Sequence, residues 1–143
     1  ESNCTINIRS PKAIRPWEHV LEPLSGYMLL AKKMWNSPTE YCEGWNFGPE
    51  EECVSTVWEV ATLVVKNYGF GDLKDSSDSN ALHEANLLML NINKAKKRLG
   101  WYPRMNMPQC IGLVVDWYKK YKLVDSVYAL CVEEIEKFVG YGK

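Results

Sequence analysis

The 143-residue chain has no apolar run near the roughly 18 residues that a membrane-spanning helix needs. Its longest candidates are broken by Lys32, Lys33 and Lys66. It also has almost no net charge, with 17 Lys and Arg against 18 Asp and Glu. That balance argues against a nucleic-acid surface, where a clustered basic excess is expected. The first residues, Glu-Ser-Asn-Cys-Thr, offer neither a basic start nor an apolar stretch, so no secretory signal is expected there. The sequon Asn3-Cys4-Thr5 is accordingly read as chance. Histidine is scarce: His19 and His83 lie far apart, and no Cys-x-x-Cys pair accompanies them. A structural zinc site needs four ligands at tight spacings, so no metal is expected. The five cysteines, Cys4, Cys42, Cys53, Cys110 and Cys131, form an odd set. Without a secretory signal they favour free thiols and a reducing, cytoplasmic setting. No internal repeat or low-complexity segment occurs.

What is present suits one ordinary globular unit, residues 1–143. Hydrophobic residues make up 46% and charged residues 24%, which argues against disorder. Six Trp and eight Tyr are a heavy aromatic load for the length. Thr5 to Arg9 alternates with period two and stops at Ser10-Pro11, as a short strand does. Glu22-Pro23 reads as a helix start, with an acid at the positive end and proline at the first helical position. Leu24, Met28, Ala31 and Trp35 then recur at helical spacing. Residues 44–49 are a short apolar run between turn residues, expected as a strand. Thr56-x-x-Glu59 is a capping box opening a helix, with Val57, Val60, Ala61, Val64 and Val65 on one face and Gly69 as its stop.

Residues 70–80 are polar and read as loop, followed by a short strand at 86–90. Asn91 caps a helix that carries Ala95 and Leu99 inward and stops at Gly100. A helix from about Pro108 to Tyr121 sets Ile111, Val114, Val115 and Tyr118 on one side. A last helix, Ser126 to Val139, aligns Val127, Leu130, Cys131, Ile135 and Phe138. The expected class is α+β, mostly helical, with about five helices and a few short strands.

Three short motifs are set aside on context. Tyr118 and Lys122 have the Tyr-x-x-x-Lys spacing in which a lysine lowers a tyrosine pKa, but no glycine-rich nucleotide loop precedes them, and lysines at a helix end complement the dipole. Gly69-Phe70-Gly71 lacks the third glycine and the following helix of a dinucleotide turn. The serines near Asp75 and Asp78 have no adjacent histidine to activate them. The stretch Arg15-Pro16-Trp17-Glu18-His19-Val20 differs in kind. Arginine presents a rigid fork of donors suited to phosphate, and a helix N-terminus close by adds positive potential. On its own the stretch fits a surface ion pair as well as an anion site.

Residues Ile8 to Tyr27, including Arg15-Pro16-Trp17-Glu18-His19 and Leu21-Glu22-Pro23-Leu24, resemble the middle of CDP-glucose 4,6-dehydratases, members of the extended short-chain dehydrogenase/reductases. The resemblance continues through Trp45-Asn46-Phe47-Gly48-Pro49, His83-Glu84-Ala85, Lys94-Ala95, Leu99-Gly100-Trp101-x-Pro103 and Trp117-Tyr118-Lys119. The Leu-Gly-Trp-x-Pro block is shared by sugar-nucleotide dehydratases and epimerases at large. Ser10 stands where the family usually has asparagine, Asn91 where it has aspartate, and Asn93 where it has serine or threonine.

The resemblance implies a C-terminal, substrate-binding portion without the N-terminal Rossmann half. In the family, the NAD loop, the catalytic Tyr and Lys and the acidic pair for water elimination lie upstream of this region. It further implies that Arg15 contacts the substrate diphosphate, and that His83 and Glu84 face the phosphates or the nucleotide end of the sugar. Trp17 and His19 are expected to shape the loop, and Trp45 and Trp101 to lie in the core. No catalytic residue and no bound cofactor are expected in this chain, although the full-length relatives hold NAD and form homodimers. The implied activity of the whole enzyme converts CDP-glucose to CDP-4-keto-6-deoxyglucose. A GDP-mannose or dTDP-glucose dehydratase, an epimerase, or a non-catalytic interaction module are the alternatives. Without the Rossmann half, bared apolar surface predicts self-association.

Overall fold

The computed structural model describes residues 5–78 and 86–141. Strand β1 (Thr5–Ile8) forms as the alternation predicts. It pairs in parallel with β4 (Asp72–Asp75), Thr5 opposite Asp72 and Ile8 opposite Asp75. Residues 70–80 are therefore not all loop, as expected from their polarity. The sequence Asp-Leu-Lys-Asp makes a strand because its backbone completes the β1 ladder, while its side chains stay largely in solvent.

Strand β2 (Ile14–Arg15) pairs antiparallel with β3 (Ser55–Thr56). Two expected strands are corrected. Residues 44–49 are irregular, their apolar side chains serving a helical core rather than a ladder. Residues 86–90 contribute only an isolated bridge, Leu87 to Ile14.

The helices are α1 (Leu21–Asn36), the single-turn α2 (Pro38–Tyr41), α3 (Val57–Tyr68), α4 (Met107–Lys120) and α5 (Val127–Gly140). A π-type turn, Ala95–Leu99, follows Asn91, whose Oδ1 accepts from the Asn93 N–H. The capping box that opens α3 is complete: the Glu59 N–H donates to Thr56 Oγ1, and the Thr56 N–H donates to Glu59 Oε2. Gly69 and Gly100 close their elements with φ of 89° and 71°, where a side chain would be strained.

Two clusters form the core. Tyr41, Phe47, Ile92, Ala95, Leu99 and Trp101 make the first, with Trp45 packed against it, so Trp45 and Trp101 lie where expected. Glu43 ties it together from outside by pairing with Lys94 and Arg98, both of which lie over the Trp45 ring. Met105, Cys110, Leu113 and Phe138 make the second cluster.

Three helix faces differ from the periodic reading. On α1 the inward side is Glu22 and Gly26, with Leu29, Leu30 and Met34. Leu24, Met28 and Trp35 point to solvent. On α4 the buried residues are Met107, Cys110, Leu113 and Val115, because this helix packs against both α3 and α5. Tyr118 is half exposed. On α5 Leu130 and Phe138 are buried, but Val127 and Ile135 are exposed. The position between the two buried residues goes to Glu134.

Candidate functional site

Arg15 sits at the end of β2, and the chain locks its backbone from two sides. One side is β3, with Arg15 opposite Ser55. On the other, the Ile14 N–H donates to Asn86 O at 2.7 Å and the Leu88 N–H donates to Ile14 O at 3.2 Å. The Arg15 side chain is half-buried, and its Nη1 donates to Ile14 O at 2.9 Å. Pro16 then turns the chain: the Trp17 N–H donates back to Arg15 O at 2.8 Å and leaves the indole partly exposed. These pairings fix the Arg15 backbone; the guanidinium it carries has donors in a rigid fork, the geometry that suits carboxylate and phosphate. His83 and Glu84 lie outside the described residues, which resume at Asn86 beside Ile14.

The loop after Arg15 is fastened by His19, which is buried. The Leu21 N–H donates to its Nδ1 at 3.2 Å. Nδ1 is therefore the acceptor, and Nε2 carries the proton donated to Glu134 Oε1 at 3.0 Å on α5. With both ring nitrogens engaged, His19 acts as a strut between loop and helix.

Among the described residues Glu22 is the most deeply buried large side chain, 1% exposed. Its Oε1 accepts from the amides of Arg104 and Met105 at 2.8 and 2.9 Å. Its carbonyl accepts from Ser25 Oγ, which in turn accepts from Trp101 Nε1 at 2.9 Å. Glu22 stands in the first turn of α1, as its place before Pro23 predicts. Its carboxylate also reaches 82 residues along the chain, locking the Glu-Pro block to the Leu-Gly-Trp-x-Pro block. Burial raises its pKa despite the two amide bonds. Burial, and then the charge of Glu22, push the carboxyl of Glu18 up to about 7. The same surroundings push the buried Cys110 thiol up to about 11, which makes it unreactive.

Two hollows lie elsewhere. A cavity of about 560 Å³ is lined by Ser25, Leu29, Trp101, Tyr102, Arg104 and Val139, without Arg15. A groove of about 310 Å³ lies between the loop, α4 and α5, with Val20, Trp117, Tyr118 and Ile135 in its walls. Tyr118 packs edge-on against Trp117 and Tyr121 at the end of α4. Cys42, Cys53, Cys110 and Cys131 are all free thiols. Among the described residues no group of three His, Cys, Asp or Glu side chains converges to hold a metal ion. No helix among them is long and apolar enough to cross a membrane.

Sequence reasoning missed Glu18, Glu22, Ser25 and Glu134. Periodicity carries no mark of a polar side chain whose partner lies on a distant element.

No family model matches the chain. It is 36% identical over 140 residues to the CDP-glucose 4,6-dehydratase of Salmonella typhimurium, covering 98% of this chain and 39% of that protein. It thus spans about two-fifths of the length of this curated relative. Its fold superposes on the crystal structure of dTDP-glucose 4,6-dehydratase from Bacillus anthracis in complex with NAD, with a TM-score of 0.61. That match has 20% identity and covers 82% of this chain and 35% of the other. Likeness along nearly the whole chain and a shared, mostly helical α+β fold make it similar to a C-terminal part of the sugar-nucleotide 4,6-dehydratases, which are extended short-chain dehydrogenase/reductases.

Proposed function

We propose that the chain is the substrate-binding portion of a CDP-glucose 4,6-dehydratase that uses NAD in its complete, homodimeric, cytoplasmic form. The 36% identity across 98% of the chain carries this reading. In the whole enzyme NAD supplies the oxidation of the sugar and the return of the hydride. These 143 residues contribute walls and anchors for the nucleotide sugar, with no catalytic residue among them.

Arg15 is the principal anchor. Its forked donors meet the diphosphate from the end of β2, whose strand partners on either side fix the backbone that carries them. His83 and Glu84 face the phosphates or the nucleotide end of the sugar. The Glu22, Ser25 and Trp101 network holds the start of α1 in place behind the Arg15 loop.

Calorimetric titration of CDP-glucose into the intact protein tests this. Arg15→Ala weakens binding by about 1.5–3 kcal/mol, the worth of a hydrogen bond to a charged group. Unchanged affinity would remove Arg15 from the site. Melting shifts with CDP, GDP, UDP and dTDP sugars rank the nucleotides, since a ligand stabilises the state it binds. CDP-glucose is expected to give the largest shift.

A further inference from the structure

Helix α1 opens without a cap from the usual position. Val20, the residue before it, makes no side-chain hydrogen bond to the first-turn amides. Those amides need partners from outside the helix. His19 supplies them. Its carbonyl accepts from the Glu22 N–H at 2.9 Å, and its Nδ1 accepts from the Leu21 N–H at 3.2 Å. An imidazole accepts at Nδ1 only in the neutral tautomer that keeps its proton on Nε2.

Glu134 selects that tautomer. Its Oε1 accepts from His19 Nε2 at 3.0 Å, across 115 residues of chain. The pair is nearly dry, with the His19 side chain 3% exposed and that of Glu134 14%. Without this acceptor the Nε2 proton would be buried unpaired. In the other tautomer a ring N–H would face the Leu21 N–H, donor against donor. Either state carries the penalty of an unsatisfied buried group. The place of Glu134 on α5 points the same way. It stands one turn from each of the buried residues Leu130 and Phe138, in an otherwise apolar inward row. A carboxylate in such a row costs free energy unless a partner engages it there.

The His19 bond bears on Arg15 because the chain between them has little slack. Arg15 is held by the pairing of β2 with β3, and the Trp17 N–H donates back to the Arg15 carbonyl at 2.8 Å. Pro16 between them has its φ locked by its ring. His19 follows two residues after Trp17, fastened to α5. Releasing His19 therefore frees the far end of the same short loop.

We propose that Glu134 is a positioning residue for the Arg15 site. It fixes the His19 tautomer that caps α1, and through His19 it holds the loop leading from Arg15. This role rests on the reading of Arg15 as the diphosphate anchor.

Two measurements on the intact chain, both well below its melting midpoint, test the proposal. Glu134→Leu keeps the bulk and removes the acceptor. Amide hydrogen exchange followed by NMR is expected to quicken at Leu21 and at Trp17, with the amides of α3 unchanged. Affinity for CDP-glucose, by calorimetric titration, is expected to fall roughly two- to tenfold, the cost of ordering a side chain on binding. Glu134→Gln restores both, since its amide oxygen can accept from Nε2 as the carboxylate does. Glu134→Asp keeps the charge but withdraws the oxygen by one methylene. It shifts both measurements in the same direction as leucine, and takes the place of that variant if leucine prevents folding. Quickened exchange at Leu21 that does not reach Trp17 overturns the proposal, and so does failure of glutamine to restore. The anchor and its support fail separately. An Arg15→Ala variant that binds as the parent does removes both Arg15 and Glu134 from the site. A loss in Arg15→Ala with none in Glu134→Leu overturns the role of Glu134 alone.

Discussion

Glu18 carries a carboxyl oxygen, Oε2, that is buried without a hydrogen-bond partner, as is Oε2 of Glu22, whose charge it feels. Two carboxylates in one dry place cannot both ionise at low cost, and the less anchored one keeps its proton. Glu22 has two amides to stabilise its charge, whereas burial and the Glu22 charge hold Glu18 near a pKa of about 7. Below pH 4.5 the Glu18 carboxyl is protonated in folded and unfolded chains alike and makes no difference. Between 4.5 and about 7 the unfolded chain releases this proton while the folded chain retains it, so stability falls as pH rises. The slope is at most about 1.4 kcal/mol per pH unit. Above pH 7 the penalty is constant. Glu18→Gln should therefore melt higher than the parent at pH 8 and at the same temperature at pH 4, by calorimetry. Equal midpoints at both pH values would show that Glu18 ionises freely in the folded protein. Exposed acids such as Glu43 and Asp116 have lowered pKa values and act in the opposite direction, which is why the difference between the two proteins is the quantity to follow.

At the scale of elements, α1 depends on Gly26. A Cβ added there would come within 2.3 Å of the Phe47 ring. Phe47 is buried and meets both Tyr27 and Trp101 edge-on. It has no free direction in which to yield. Alanine within a helix gains up to about 1 kcal/mol over glycine. Overpacking a filled core costs about 1–3 kcal/mol. The packing term wins, so Gly26→Ala should lower stability by roughly 1–2 kcal/mol in urea unfolding, and a gain would show that Phe47 can move aside. Element boundaries set by local chemistry were legible: the capping box of α3, the Asn91 turn and the glycine stops need only neighbouring residues. The helix faces were not. Apolar spacing on α1 marked Leu24, Met28, Ala31 and Trp35, but packing against the cluster of Phe47 and Trp101 turns Leu29, Leu30 and Met34 inside. On α5 the inward position between Leu130 and Phe138 holds Glu134, because His19 neutralises the cost of placing it there.

For the whole molecule, the family blocks at Ile8–Tyr27, Trp45–Pro49 and Leu99–Pro103 are far apart in sequence and adjacent in space. Glu22 and Ser25 join the first to the third, and Phe47 packs the second edge-on against Trp101. This explains why the blocks are recognisable together: each is the packing partner of the next. The sequence points to Arg15 through the chemistry of its guanidinium. Its support by β3 and residues 86–88 was not legible, since those pairings join segments 40 and more residues apart. The purified 143-residue chain is expected to give no absorbance change with CDP-glucose and to copurify without NAD. Its sequence offers no glycine-rich loop to hold a dinucleotide. Turnover by this chain would defeat the reading of it as a binding portion.

The sequence by itself determined the near-zero charge, the mostly helical class, the caps and stops, and the likeness to the dehydratases. These rest on composition and on spacings within a few residues, which survive without a fold. Tertiary structure alone decided that the polar residues 72–75 form a strand and that Glu22 is a buried strut. Those outcomes depend on which distant segments meet, and a backbone amide, a buried carboxylate or an apolar face takes its meaning from the partner opposite it.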